Sequence, residues 1–286
     1  MKVIANPSAG FGRGQVSIRE LRQRGPGLEI EILETGGPGD ATSLARELVA
    51  KGESRLGVMG GDGTISEVVD AVVGSPTELA ILSVGTGNDI ARSLDLPCNH
   101  LAAALEIAQN GKSKPVDVGM AGGRHFLSVL GVGFPAQVAE ESNRLKWLRG
   151  HLAFIAAVYK ALWKMKPVAM EIELDKQILS QDCTSVLVLN TPFTGGGLRF
   201  APNAKVDDGL FDIVVVGKIG KLDLMANFPR VYMGSHLNHP SFSLFKAASV
   251  EIRTKVPTAK MLDGDVCGGT PVKAKVLPRS LKVVIR

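Results

Sequence analysis

The sequence predicts an α/β plus β chain: an N-terminal doubly wound α/β domain over residues 1–116 and a C-terminal, β-rich, sandwich-like domain over residues 117–286 with one long helix. Three observations carry that prediction. Short apolar runs alternate with amphipathic, helix-period segments through the first part of the chain, which is the pattern of parallel βαβ units. A strand–glycine turn–helix device occurs at Gly60 and returns at Gly85. Near Lys114-Pro115 the pattern changes to strands separated by Gly, Pro, Asn and Asp.

In chain order, Lys2-Val-Ile-Ala5 reads as a strand. It runs into Asn6-Pro7-Ser8-Ala9-Gly10-Phe11-Gly12-Arg13-Gly14, a glycine-rich turn without Gly-x-Gly-x-x-Gly spacing, and Pro7 sits where a dinucleotide fold would start its helix. Residues 15–24 read as a helix and 28–33 as a strand. Thr35-Gly-Gly-Pro-Gly-Asp40 is a turn, with Asp40 capping a helix to about Lys51. Residues 55–59 form a buried strand, and Gly60, Gly61 and Gly63 turn the chain. Thr64 and Glu67 stand at capping-box spacing ahead of Val68, Val69, Val72 and Val73, an apolar helical face. Residues 79–84 are the next strand, Gly85-Thr-Gly-Asn-Asp89 the next turn, and helices follow from Ile90 and over 100–109. Beyond Lys114, strands are expected at 116–118, 124–130, 169–174, 185–189, 210–216, 249–253 and 281–285, with the long helix over 143–165.

The chain has 286 residues, enough for one large domain or two ordinary ones, and with 45% of them hydrophobic and 21% charged it has the composition of a globular protein that buries a real core. No apolar run reaches the ~18 residues of a membrane span, and the opening segment is interrupted too early for a signal peptide. Cys98, Cys183 and Cys267 are far apart and form no Cys-x-x-Cys, as expected for idle thiols in a reducing cytoplasm. The net charge of +5 favours anionic partners. Nucleic acid is set aside, because no Lys/Arg block or nucleic-acid module is present.

The segment Gly60-Gly-Asp-Gly-Thr-Ile-Ser-Glu67 is the strongest chemical signal. A glycine turn feeding a helix N-terminus presents free N–H groups and the positive end of the helix dipole, which favour phosphate. A carboxylate there, Asp62, is repelled by phosphate unless a cation or a donating hydroxyl is also present, which points to phosphoryl transfer. Other motifs are weaker. Gly111-Lys112-Ser113 is not a P-loop, since Glu106 stands where glycine is required. His236 and His239 read as solvent-exposed, with no third metal ligand. Asp207-Asp208-Gly209 reads either as a hard-cation site through Asp208 or as a turn, and Leu262-Asp263-Gly264-Asp265 has the same two readings. Residues 143–165, with Lys166 beyond, carry Arg144, Lys146, Arg149, Lys160 and Lys164 with Trp147, Phe154, Tyr159 and Trp163. That helix either lies on an anionic membrane or packs on its own domain.

Taken together, these motifs resemble the diacylglycerol kinase catalytic family, in particular its soluble bacterial lipid-kinase branch, with sphingosine and ceramide kinases as relatives. The resemblance runs over nearly the whole chain, through Asn6-Pro7 with Gly10 and Gly12, Thr35 with Gly39-Asp40, Gly60–Thr64 with Glu67, and Gly85–Asp89. It continues through Asp117-Val-Gly119, Asn190 with Gly195–Gly197, Pro202, Asp207–Gly209 and Asp263-Gly-Asp265. It implies an N-terminal domain like that of NAD kinase and phosphofructokinase, ATP as donor, Mg²⁺, and a lipid hydroxyl as acceptor at an anionic membrane surface. It places a cytoplasmic protein at the membrane periphery and is compatible with a homodimer. It implies nucleotide contacts at Asn6, Thr35, Gly60, Gly61, Asp62, Gly63, Thr64, Ile65, Ser66, Glu67 and Thr86, with Asn88 and Asp89 on the opposite wall and Asp62 among the catalytic residues. It implies Mg²⁺ at Asp208 with the carbonyls of Lys205 and Leu210. The proton acceptor falls at Asp265, one methylene shorter than the family's usual Glu, with Asp263 the alternative. Ser83 and Ser128 stand where Pro and Asn are usual. The rival readings are an NAD kinase-like enzyme and a non-catalytic nucleotide- or lipid-binding protein of the same fold.

Overall fold

A computed structural model describes residues 1–24, 29–145, 151–175 and 177–286. They form two compact units, Met1–Val118 with Pro278–Arg286, and Gly119–Leu277.

In the first unit, β1 (Lys2–Ala5) is followed by α1 (Arg13–Gln23), β2 (Glu31–Glu34), α2 (Asp40–Ala50), β3 (Arg55–Gly60) and α3 (Asp62–Val72). Then come β4 (Glu78–Ser83), α4 (Asp89–Ser93) and α5 (Leu101–Asn110). β1 pairs in parallel with β2 and β3, and β3 with β4. Val3, Ile4, Leu56, Val58, Leu79 and Leu82 have no exposed surface. Strands buried on both faces in this way belong to a parallel sheet covered by its crossover helices.

Four local readings shift. The strand expected at 28–33 forms at Glu31–Glu34; Leu28 lies outside the described residues. α1 begins at Arg13, because Gly10, Phe11 and Gly12 all take left-handed φ angles of 59°, 58° and 96° and reverse the chain in one turn. A Cβ on Gly10 would lie 2.2 Å from the carbonyl oxygen of Val84. The capping box at Thr64 and Glu67 does not form: α3 starts at Asp62, with Gly61 and not Thr64 at the cap, and both side chains turn to other elements. The last residues, assigned by sequence to the second domain, belong to the first, where Lys282 and Val283 pair with Glu78 and Leu79. Buried Asp117 secures that return by accepting the Arg279 N–H at 2.7 Å.

The second unit starts within β5 (Lys112–Ala121) and continues through β6 (Arg124–Phe126), β7 (Val129–Gly133), α6 (Phe134–Arg144) and α7 (His151–Lys164). β8 (Val168–Leu174), β9 (Gln177–Leu189), β10 (Phe211–Gly217) and α8 (Lys221–Met233) follow. β11 (Phe242–Ala247), β12 (Ser249–Thr254), β13 (Ala259–Leu262), β14 (Asp265–Gly269) and β15 (Val272–Ile285) complete it. The strand β9 organises the sandwich. Its first half pairs with β8, and its second half pairs with β7 on one side and β10 on the other. Phe126, Phe211, Ile172, Val188 and Ile252 form the core of this unit.

Of the single helix expected over 143–165, the described residues show the end of α6 at Arg144 and, beyond 146–150, α7 over His151–Lys164. Lys146, Trp147 and Arg149 lie outside the described residues. Pro135 opens α6 at a position that needs no N–H donor. Helix α8 was missed because Pro229 interrupts its pattern from inside. His236 is fully buried against Phe200 and Phe242, not exposed, and burial lowers its pKa.

Candidate active site

The first unit gathers its predicted residues at the carboxyl ends of β1, β3 and β4, where ligands bind such sheets. Asn6 follows β1. Its N–H donates to Met59 O at 2.9 Å, its side-chain amide donates to Thr64 Oγ1 at 2.9 Å, and its Oδ1 accepts the Ser8 N–H at 2.9 Å. It thereby braces the strand end against the first turn of α3. Glu67, one turn on, accepts the Gly39 N–H at 3.1 Å, while its carbonyl takes the Thr42 hydroxyl at 2.9 Å. This ties α3 to the start of α2. Between these elements lies a cleft of about 520 Å³ lined by Asn6, Ser8, Thr35, Gly61, Thr64 and Glu67 among others. Gly63 also lines it, and Ser66 is half-buried on α3. Ile65 is fully buried and supports the loop by packing.

The loop after β4 closes on the loop after β3. A Cβ on Gly85 would lie 2.5 Å from Gly61 Cα and 2.7 Å from Asn88 Oδ1, so only glycine permits this approach. Asn88 holds a left-handed φ of 54° and donates to Gly85 O at 3.1 Å. Asp62 crosses between the loops, its Oδ1 accepting the Ile90 N–H at 3.1 Å. Desolvation raises the pKa of its carboxyl, and backbone N–H groups of Ile90, Asp89 and Asn88 partly oppose that rise. Thr86 is exposed, and Arg13 donates to its hydroxyl at 3.5 Å and to Gly10 O at 3.1 Å. Asp89 is buried at the start of α4.

In the second unit, the two candidate acids have different situations. Asp263, at a φ of 46°, accepts three backbone N–H bonds, from Leu127 at 2.8 Å and from Ser128 and Val129 at 2.9 Å. Its oxygens are committed to holding the start of β7. Asp265 is exposed, with Arg124 as its ion-pair partner at 3.6 Å. Ser128, at the position where Asn is usual, bonds the Thr191 hydroxyl and Phe193 O at 3.0 Å each.

Asp208 is also engaged. Its Oδ1 accepts the Leu210 N–H at 3.2 Å and its Oδ2 the Lys246 ammonium at 2.9 Å. Lys246 stands opposite Asp212 across the β10–β11 ladder and lies 3.3 Å from its buried carboxylate, whose pKa is raised by burial and lowered in part by that lysine. Among the described residues, no group of three His, Cys, Asp or Glu stands together as a metal site. With both Asp208 oxygens bonded and an ammonium supplying the charge, this arrangement does not fit the Mg²⁺ expected with Lys205 and Leu210.

Behind Met261, on β13 just before Asp263, lies an apolar cavity of about 100 Å³ walled by Phe134, Phe154, Leu187, Val216, Phe228 and Phe242 among others.

Residues 1–121 match the family described as the diacylglycerol kinase catalytic domain, and residues 128–285 match the YegS C-terminal NAD kinase beta sandwich-like domain. The chain belongs to the diacylglycerol kinase family. It is 30% identical to a diacylglycerol kinase of Mycobacterium tuberculosis (strain H37Rv), across 98% of this chain and 93% of the relative. It is 29% identical to a diacylglycerol kinase of Bacillus subtilis (strain 168), across 99% of this chain and 95% of the relative. A crystal structure of a diacylglycerol kinase from Bacillus anthracis superposes with a TM-score of 0.76 at 27% identity, covering 100% of this chain and 96% of that one. This member of the diacylglycerol kinase family is accordingly a phosphotransferase of the lipid-kinase class.

The diacylglycerol kinase family resemblance pointed to the loops but not to their supports. Arg13, Lys246 and Asp212 were missed as site supports, and so was the role of the apolar cavity's wall, of which Phe154 was noted only as a helix aromatic and Gly195 only in a glycine run. Arg13 had a signal in sequence, a cation directly after Gly10 and Gly12. Lys246 and Asp212 had none, because their pairing depends on the β10–β11 register.

Proposed function

We propose that this chain transfers the γ-phosphate of MgATP to a hydroxyl of diacylglycerol or a related lipid alcohol presented at an anionic membrane surface. The observation that carries this reading is the apolar cavity that Met261 helps to line, two residues before Asp263 of the Asp263-Gly264-Asp265 turn. An acceptor such as NAD offers ribose and phosphate, which such walls do not bind; an acyl chain is what they favour.

In this reading the first unit binds the donor. The cleft at Asn6, Thr35 and Glu67 takes the nucleoside, and the N–H groups of the Gly60–Thr64 turn face the phosphates at the positive end of α3. Arg13, beside Thr86, adds a cation at the same loop. Mg²⁺ enters as part of the MgATP substrate and offsets the charge of Asp62. The lipid oxygen attacks the γ-phosphorus, the bond to the β–γ bridging oxygen breaks, and ADP leaves. Asp265 takes the proton of the attacking hydroxyl, since its carboxylate is exposed while that of Asp263 is committed to the backbone. A positioned base of this kind contributes ~10²–10⁴-fold.

The test is transfer of label from [γ-³²P]ATP with Mg²⁺ to dioleoylglycerol, a total lipid extract and NAD in parallel, with Asp62→Ala as control. Label in an organic-extractable product, lost in the control, is the expected result. Label in NADP moves the chain to the rival enzyme class, and ATP binding without any labelled product makes it a binder.

A further inference from the structure

A second apolar compartment adjoins the first. It measures about 260 Å³ and lies between α7 and α8, with Ile155, Tyr159, Met225 and Tyr232 at its outer side. Phe134, Val158, Leu224 and Phe228 belong to the walls of both compartments. The inner space of about 100 Å³ is smaller than the ~150 Å³ that holds one benzene ring. A long acyl chain therefore cannot lodge in the inner compartment alone; it needs both compartments, and its path between them runs past those four shared side chains.

The outer face of the same two helices has an unusual surface. Tyr159 and Trp163 of α7 and Leu222, Tyr232 and Met233 of α8 are exposed, three of them by more than three-quarters (Trp163 78%, Leu222 78%, Met233 79%). Lys160, Lys164, Lys221 and Arg230 stand among them, α7 carries no acid, and α8 carries only Asp223, which faces His239 at 3.3 Å. Lys160 and Lys164 share the buried Glu141 with Arg144, three cations on one carboxylate. Lys221 donates to Trp163 O at 2.7 Å and lies 5.8 Å from its ring, joining the start of α8 to the end of α7. Cations near an anionic leaflet are drawn to it, and aromatic and aliphatic side chains beside them enter the headgroup region.

We propose that the α7–α8 slot is a lateral portal: this face docks on an anionic membrane, and one acyl chain of the acceptor passes from the leaflet between the helices, through a gate of Phe134, Val158, Leu224 and Phe228, into the inner cavity. The proposal rests on the lipid-kinase reading and adds to it the face, the route and the gate. Charge complementarity and the cavity opening directly behind this face select the membrane as occupant.

The test has two arms on the full chain. In the first, kcat/KM is measured for dioleoylglycerol in mixed micelles and for the short-chain dihexanoylglycerol, in wild type, Val158→Trp and Phe228→Ala. The expected result is a fall of at least tenfold in the long-to-short ratio for Val158→Trp and no fall for Phe228→Ala. A Val158→Trp ratio within twofold of wild type overturns the portal while leaving the lipid kinase intact; no transfer to either lipid by wild type overturns both. In the second arm, the Leu222→Ser/Met233→Ser double variant is sedimented with phosphatidylglycerol vesicles and with pure phosphatidylcholine vesicles. The expected result is at least tenfold weaker binding to the anionic vesicles than wild type shows. Unchanged binding, or equal wild-type binding to both vesicle types, overturns the docking face.

Discussion

The Asp62 carboxylate accepts the Ile90 N–H at 3.1 Å, so one acid joins the glycine loop after β3 to the helix after β4. Burial holds its folded pKa above the unfolded carboxylate value. Proton binding is then tighter in the native state, so this group's contribution to stability is full below the unfolded value of ~3.9 and is lost as pH rises through the folded one. Asp62→Asn, which keeps an acceptor for Ile90 without the charge, is expected to be about 1 kcal/mol more stable than wild type at pH 8, with the gap closing toward pH 4. Its phosphate transfer is expected to fall at least ~10²-fold. Urea unfolding at the two pH values and a transfer assay check this; a variant less stable than wild type at pH 8 contradicts it.

Gly85→Ala puts a methyl 2.5 Å from Gly61 Cα and 2.7 Å from Asn88 Oδ1, and the Gly61 backbone has little room to yield. Overpacking of this kind costs about 1–3 kcal/mol. The separation of the two loops is expected to weaken ATP binding at least tenfold, measured by calorimetry, while far-ultraviolet circular dichroism stays native. Unaltered affinity would show that the loops need not touch.

The two acids of the β13–β14 turn are expected to fail differently. Asp263→Asn weakens three charge-assisted bonds to Leu127, Ser128 and Val129, so it lowers stability by about 2–3 kcal/mol. Asp265→Asn leaves the melting temperature within a degree or so and lowers kcat by ~10²-fold or more. Asp265→Glu, which restores the reach usual in the family, is expected to retain turnover. The opposite pattern, with Asp265 structural and Asp263 dispensable for folding, would reverse the assignment of the base.

Lys246→Met leaves Asp212 buried without its cation. Breaking a buried pair costs about 3–5 kcal/mol; because Lys246 is 40% exposed, about 1–2 kcal/mol is expected here. Adding Asp212→Asn is expected to recover most of that loss. A double-mutant cycle by thermal and urea unfolding gives the coupling, and purely additive effects would mean that the pair is not energetically linked.

The parallel unit was readable in sequence because its signals are local: apolar runs at Leu56–Met59 and Leu79–Leu82, and glycines where the chain must turn. What stayed hidden depends on distant pairing. Thr64 and Glu67 have the spacing of a capping box, but Asn6 and Gly39 compete for their oxygens and the helix starts earlier. Pro229 lies inside α8 and broke its helical pattern. Asp263 and Asp265 are two residues apart and look alike in sequence; only the pairing of β13 with β7 brings three N–H groups to the first and none of these to the second. The cavity walls come from α6, α7, α8, β9, β10, β11 and β13, so no window of the sequence contains them.

The measurement that bears most directly on the central claim is photolabelling of the full chain with a diacylglycerol carrying a diazirine on one acyl chain, in anionic vesicles with MgATP analogue present. The account predicts crosslinks on cavity and slot residues, among them Val158, Leu187, Val216 and Phe228, that compete away with dioleoylglycerol. Saturable labelling confined to other surfaces, with these residues untouched, would contradict it.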